Sequence, residues 1–508
     1  MKPSNSKAIK MKRIKYIAPL LLLALPTISC HREDLNPQSQ TSVANNSAFT
    51  TPARISNQVI GLYGALKAGG LFGGRFQIAG EVKADNFIDE LNNLVTDADV
   101  WAGNATNSAT AIVNQWNAAY LAINNCNVFI DGMNSTGTKV VGSTLGNQYI
   151  CEAKLVRAVC YYGLLQFWAN AYAKDGGASL GVPLRTTGIT APGSSNLARS
   201  KVADCYAQIV KDLTDAEAGL PTSYSANTGG TAAFWNTTRA HVNTASALLT
   251  RVYLTMGNWA GVITEANKIV TPTAPFTAPS GVAFALQSDI TKVFAPPYTT
   301  TENIFFLPMS SASGDNPGTQ NQLDYYFSPS KGAVSGGAGN GEFSLNPNGV
   351  IADPNWKSTD RRWAFISTST SGGKKWCNKF PTGSPYTDYT PIIRYSEVLL
   401  NLAEARARSS NSVDPQAVAL LNAVRNRSDA STTYTVASFA NVNALISAIL
   451  EERNIEFLGE GLRNNDLVRL QLAIPAKGSA PQKNPGDQGY IWPISQTELN
   501  LNTLCVDN

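Results

Sequence analysis

The chain has 508 residues, of which only 15% are charged, against about 25% in an average soluble protein. Its formal charge of +4 belongs to the first 29 residues: six of the 40 lysines and arginines and none of the acids lie there, so a chain starting at residue 30 carries two net negative charges. No Lys/Arg run follows that would neutralise a row of phosphates, which argues against a nucleic-acid partner.

Taken in chain order, residues 1–29 read as a leader. Basic residues at 11–15 precede an apolar run from Ile17 to Leu25, and Pro26, Thr27, Ile28 and Ser29 lead into Cys30. This is the layout of a bacterial lipoprotein signal, whose cysteine is acylated as the new N-terminus. The apolar run falls short of the roughly 20 residues a bilayer span needs. Ile28 departs from the usual small-residue cleavage box, and Met11 is an alternative start. His31, Arg32, Glu33 and Asp34 follow Cys30 and resemble the surface-export signal of Bacteroidetes lipoproteins. Residues 30–50 are polar and aperiodic, a flexible tether.

Helical patterns fill 51–270. Trp116, Ala119, Tyr120, Ile123 and Ile130 share one helix face, and Tyr206, Ile209, Val210, Leu213 and Leu220 another, before a stop at Pro221. The clearest unit runs from Ala240 to Val270. Val242, Ala245, Leu249, Val252 and Met256 repeat at three and four, Gly257 ends that helix, and Trp259, Val262, Ile263, Ala266 and Ile269 repeat the pattern. The spacing predicts a helical hairpin close in length to a tetratricopeptide repeat. Residues 271–390 lose the period but keep aromatics, which argues for an ordered, loop-rich functional region. Helices are predicted again at 392–408, 416–426 and 442–458 within a C-terminal part, 391–508.

Six cysteines remain after Cys30: Cys126, Cys151, Cys160, Cys205, Cys377 and Cys505. None has C-x-x-C spacing. Cys151 and Cys160, nine apart on one helix, face opposite sides and do not bond each other; the other pairings stay open. His241 alone lies outside the tether, where it opens a helix. Neither a multi-histidine metal site nor a Ser-His-Asp triad has support.

Four segments, in order, resemble motifs of the SusD/RagB nutrient-binding lipoproteins. They are residues 153–162 with Gly181 to Leu184, residues 391–405 with Leu421 to Arg425, residues 452–467, and Tyr490 to Asn500. Gly459, Asn464 and Asn465 replace bulkier residues of the family pattern. The resemblance implies a mostly α fold, a single large unit of tetratricopeptide-like hairpins with a long irregular aromatic-rich loop region. It also implies a lipid-anchored outer-membrane protein facing the exterior, with no cofactor. Such a protein delivers polysaccharide or oligosaccharide, or in some members peptide, to a SusC-like TonB-dependent transporter.

The motifs also have physical content. Arg394 and Glu397, and Glu404 and Arg408, are spaced to pair along one helix. Five carboxylates and three arginines crowd residues 451–469, and buried charges must be paired. A glycoside hydrolase needs two acids facing across a cleft, and acids interleaved with arginines fit that poorly, because a neighbouring cation lowers a carboxylate's pKa. The chain therefore reads as a binding protein rather than an enzyme. A peptide-binding member of the same import system and a helical-repeat adaptor holding only its transporter are the other readings.

Trp101 and Asn104 are the sharpest ligand candidates. They sit in a polar loop without apolar partners at helical or strand spacing, so an exposed indole beside an amide, as in glycan-binding family members, is one reading and packing of Trp101 under a neighbouring loop is the other. Asp85, Asn86, Tyr325, Tyr326 and Trp363 are the further candidates. Trp363 also stands beside Asp360, Arg361 and Arg362, which favours a packing role.

Overall fold

Helix-forming segments pack one on the next through most of the chain. A computed structural model describes residues 45–508 apart from 192, 194, 195 and 319; the predicted leader, Cys30 and most of the tether lie outside the described residues. Helices of seven or more residues are labelled here: α1 Pro52–Leu66, α2 Arg75–Val82, α3 Thr110–Gly132, α4 Ser143–Trp168, α5 Val202–Gly219, α6 Ala232–Thr238, α7 Val242–Met256, α8 Trp259–Ile269, α9 Tyr395–Ser410, α10 Pro415–Ser428, α11 Val442–Glu456 and α12 Arg463–Arg469. α3 packs on α4, α4 on α5, α5 on α7, α7 on α8, α8 on α9, and α9 on both α10 and α11. This serial stacking is the tetratricopeptide-like architecture that the periodicity predicts. No helix among the described residues is long and apolar enough to cross a membrane.

The predicted hairpin forms as read. α7 ends at Gly257 in the left-handed region at φ 72°, and the Asn258 side chain accepts the Gly261 N–H at 3.0 Å to open α8. His241 is the residue before α7 and is fully buried, which pushes its imidazole down to about 4 despite its bond to the Asn236 carbonyl. All six described cysteines are buried free thiols.

Short strands lie mostly in and at the end of the loop-rich stretch: β2 Asn303–Leu307, β3 Phe343–Leu345, β4 Ile366–Thr368, β5 Lys375–Cys377 and β6 Thr390–Arg394, with β1 Phe87–Asp89 coming from the N-terminal helical part. They form three antiparallel pairs, β1 with β3, β2 with β6 and β4 with β5. One sequence expectation is corrected here. Residues 392–394 are strand, and α9 starts only at Tyr395. The β-branched pair Ile392 and Ile393 extends beside Phe305 and Phe306 in a wholly buried two-stranded ribbon, a setting that favours such side chains over helix.

Candidate functional site

The charged C-terminal motifs fold into a seam buried between the loop-rich stretch and the last helices. Arg394 bonds Glu302 at 2.6 Å, Glu456 at 2.5 Å and Glu460 at 2.9 Å. Arg362 bonds Asp360, Glu452 and Glu456, Arg425 is ion-paired with Glu452, Arg427 bonds Glu302 and Glu456, and Lys379 bonds Glu460. Five acids thus face five bases, and no side chain among them is more than 4% exposed. Burial works to raise the Glu456 carboxyl, yet Arg427, Arg394 and Arg362 hold it well below the usual range. Arg453 and Arg469 similarly overcome burial at Asp466 and hold it at about 2.

The predicted helical pairing of Glu404 with Arg408 is present at 2.7 Å. That of Arg394 with Glu397 is not. Arg394 caps β6 and turns into the seam, while Glu397 pairs with Arg251 of α7. Beside the seam, Glu81 on α2 accepts the Gly461 N–H at 2.7 Å, and its second oxygen has no partner. Burial pushes this carboxyl up to about 7, against the backbone N–H groups of Gly461 and Gly459. Those glycines sit at φ 84° and 83°, and a Cβ on Gly461 would stand 2.6 Å from the Gln77 backbone. The bulk lost at 459 relative to the family pattern follows from that left-handed turn.

The predicted ligand residues do not form one open platform. Trp101, read as either exposed or packed, is 8% exposed: its indole N–H donates to the Phe87 carbonyl at 2.8 Å, Gly478 lies under the ring and the Lys477 ammonium 5.7 Å from its centre. Lys477 and Gly478 come from nearly 380 residues away, beyond any local period. Asn86 is buried between Asn454 and the Val350 N–H. Asp85 meets Arg463 through two bonds of 2.8 Å, which outweigh burial and keep it below the usual carboxylate range. Tyr326 is fully buried, with Arg75 over its ring and its hydroxyl on the Gln320 carbonyl. Trp363 is half-buried and stacks on Trp356 at 4.6 Å. Asn104 is exposed, and half-buried Tyr325 meets Tyr386 edge-on at 5.9 Å.

Tyr386 leads to a cleft that the sequence reading did not single out. It measures about 510 Å³, and its lining comes from the start of α6 (Thr231, Phe234), the 296–299 turn, Met309 and the 382–389 loop. That is a usual volume for a small-ligand site. Phe234 and Tyr389 are its half-buried rings. Tyr389 stacks on Tyr298 at 4.4 Å and 18°. Tyr298 is fixed in turn because its hydroxyl donates to Asp388 at 2.9 Å, and Asp388 also accepts the Thr382 hydroxyl and N–H. A ring backed by a tyrosine that is itself held in place can receive a ligand with little further ordering cost. Thr231, Thr299, Thr382 and Thr387 add hydroxyls. The missed signal is a repeated Tyr-Thr pair, in Tyr298-Thr299 and again in Tyr386-Thr387 and Tyr389-Thr390.

Comparison with known proteins agrees with this architecture. The family model described as "SusD family" matches residues 354–508, and one described as "Starch-binding associating with outer membrane" matches residues 34–254. A SusD-like protein of Formosa agariphila is 21% identical over 98% of this chain and 98% of its own. The crystal structure of a SusD superfamily protein from Bacteroides fragilis is 29% identical, covers 90% of this chain and 99% of that one, and superposes with a TM-score of 0.78. Surface glycan-binding protein A of Bacteroides thetaiotaomicron, solved with laminarihexaose, shares the fold at 17% identity and a TM-score of 0.70, over 90% of this chain and 100% of its own. The chain belongs to the SusD/RagB family.

Proposed function

We propose that this protein is a cell-surface lipoprotein, anchored through Cys30 in the outer membrane, that binds a glycan and passes it to a SusC-like TonB-dependent transporter. The observation that carries the reading is the cleft beside Tyr389, where a fixed aromatic ring and four threonines line one concavity. A pyranose ring has an apolar C–H face and a rim of hydroxyls, and this lining matches both. Two family-level facts support it: the family description that names starch and the outer membrane, and the laminarihexaose complex of a protein with the same fold. Asn104 and Tyr325, two members of the predicted set that are not fully buried, are proposed to contact longer chains. Trp101, Asp85, Asn86 and Tyr326 are proposed to support the fold.

The hydrolase reading is disfavoured by the seam, because its carboxylates are ion-paired and sealed from substrate. Asp324, which burial pushes up to about 7, is 1% exposed and does not line the cleft. Calorimetric titration of the purified protein with oligosaccharides, together with fractionation of cells carrying Cys30→Ala, tests the proposal. Saccharide binding without release of reducing sugar, and loss of the variant from the membrane, are expected. Sugar release, or membrane retention of the variant in a strain lacking the transporter, would contradict it.

A further inference from the structure

We infer that the cleft beside Tyr389 selects an uncharged saccharide and discriminates against uronate-rich or sulfated chains. The inference rests on the glycan-binding reading above and adds the chemical class of the ligand.

Among the described residues no lysine, arginine or histidine lines the cleft; the lining is threonine, proline, methionine, phenylalanine and tyrosine. Recognition of a carboxylate or sulfate calls for charge-assisted donors, above all the guanidinium fork. Two cations on neighbouring segments are engaged elsewhere. Arg239, at the end of α6, makes two bonds of 2.7 and 2.9 Å to Glu152, and Lys67 pairs with Asp315. Lys292, four residues before Pro296, is exposed and outside the lining.

The charge closest to the lining is instead negative. Asp388 stands in sequence between two lining residues, Thr387 and Tyr389, and bonds two others, Tyr298 and Thr382. It is half-buried, so water screens it incompletely. Asp324, beneath the same loop, feels Asp388 as a like charge. An anionic sugar brought to Tyr389 would lose hydration, meet no cation and approach this carboxylate, a juxtaposition that costs affinity. A neutral ring meets none of these penalties, since its C–H face lies on Tyr389 and threonine hydroxyls both donate and accept at its rim.

The test is a calorimetric titration of the purified protein with neutral hexasaccharides (laminari-, malto-, manno- and xylohexaose) and with length-matched oligogalacturonate and oligoalginate. Wild type and Tyr389→Ala are compared at low and physiological salt. We expect at least one neutral oligomer to bind with little salt dependence and to weaken in Tyr389→Ala. Both acidic oligomers should bind at least about tenfold more weakly than it. An acidic oligomer that binds as tightly as the best neutral one, and is weakened by Tyr389→Ala, overturns the charge inference and leaves the glycan-binding cleft standing. Tight acidic binding untouched by Tyr389→Ala overturns both the inference and the placement of the site. If no oligomer binds, the glycan reading fails and the inference with it.

Discussion

The seam around Arg394 and the cleft beside Tyr389 are built from opposite materials. The seam concentrates ten charged side chains where water hardly reaches, each satisfied by a partner. The cleft, which solvent enters, has no charged group in its lining. In this protein charge fastens the loop-rich stretch to α10 and α11, while the proposed ligand cleft is lined by uncharged side chains. Charged motifs therefore point to architecture here, and the proposed ligand surface lies in the chemically quieter segments.

The comparison breaks most visibly at Arg394. Arg394→Ala leaves five buried acids facing four bases, since Glu302, Glu456 and Glu460 keep Arg427, Arg362 and Lys379, and one uncompensated buried charge costs about 3 to 5 kcal/mol. Thermal melting should drop sharply, while whatever protein stays folded keeps its saccharide affinity. Lost affinity at unchanged melting would move the seam into the site. Trp101→Ala is next: a buried tryptophan replaced by alanine costs about 3 to 5 kcal/mol, read as a lower melting temperature with titration unchanged. An unchanged melting temperature with weakened binding would restore Trp101 as the ligand platform.

A smaller effect is expected at Glu81, through pH. Its folded carboxyl lies near 7, above an ordinary value of 4.5, so the folded state holds the proton that the unfolded state has lost. Its contribution is fully present below about pH 4.5 and is lost as pH rises through 7. His241, held down near 4, works the other way between about 4 and 6.5. The informative quantity is thus the difference between Glu81→Gln and wild type. The variant's relative stability should grow between pH 4.5 and 7.5, by on the order of 3 kcal/mol. A difference flat with pH contradicts the assignment.

The smallest effect belongs to the cleft. Stacking one sugar ring removes roughly 50 to 100 Å² of apolar surface from water, about 1 to 2.5 kcal/mol. Tyr389→Ala should therefore weaken saccharide binding about fivefold to seventyfold in titration, with melting close to wild type because the ring is half-buried. Equal affinity would place the ligand elsewhere.

The helical scaffold was legible because its signal is local. Val242 to Val270 repeats at three and four and stops at a glycine, and the hairpin is there. The charge density of 451–469 correctly announced pairing, since buried charges admit little else. Partners were another matter: Arg394 and Glu397 are three apart, but each is claimed by a residue more than 60 positions distant. The same limit governed the site. Trp101 looked exposed because its neighbours Phe87, Lys477 and Gly478 are not periodic with it. Phe234, Tyr298 and Tyr389 meet only when α6 and two loops converge.

The central claim, that the uncharged cleft and not the charged seam receives the ligand, is tested most directly by a crystal structure of the protein with the neutral hexasaccharide that it binds most tightly. The account predicts a sugar ring on Tyr389, with hydroxyls reaching Thr382 or Thr387 and the seam's ion pairs unchanged. A saccharide seated instead on Trp363 or Trp101, with the cleft beside Tyr389 empty, would contradict it.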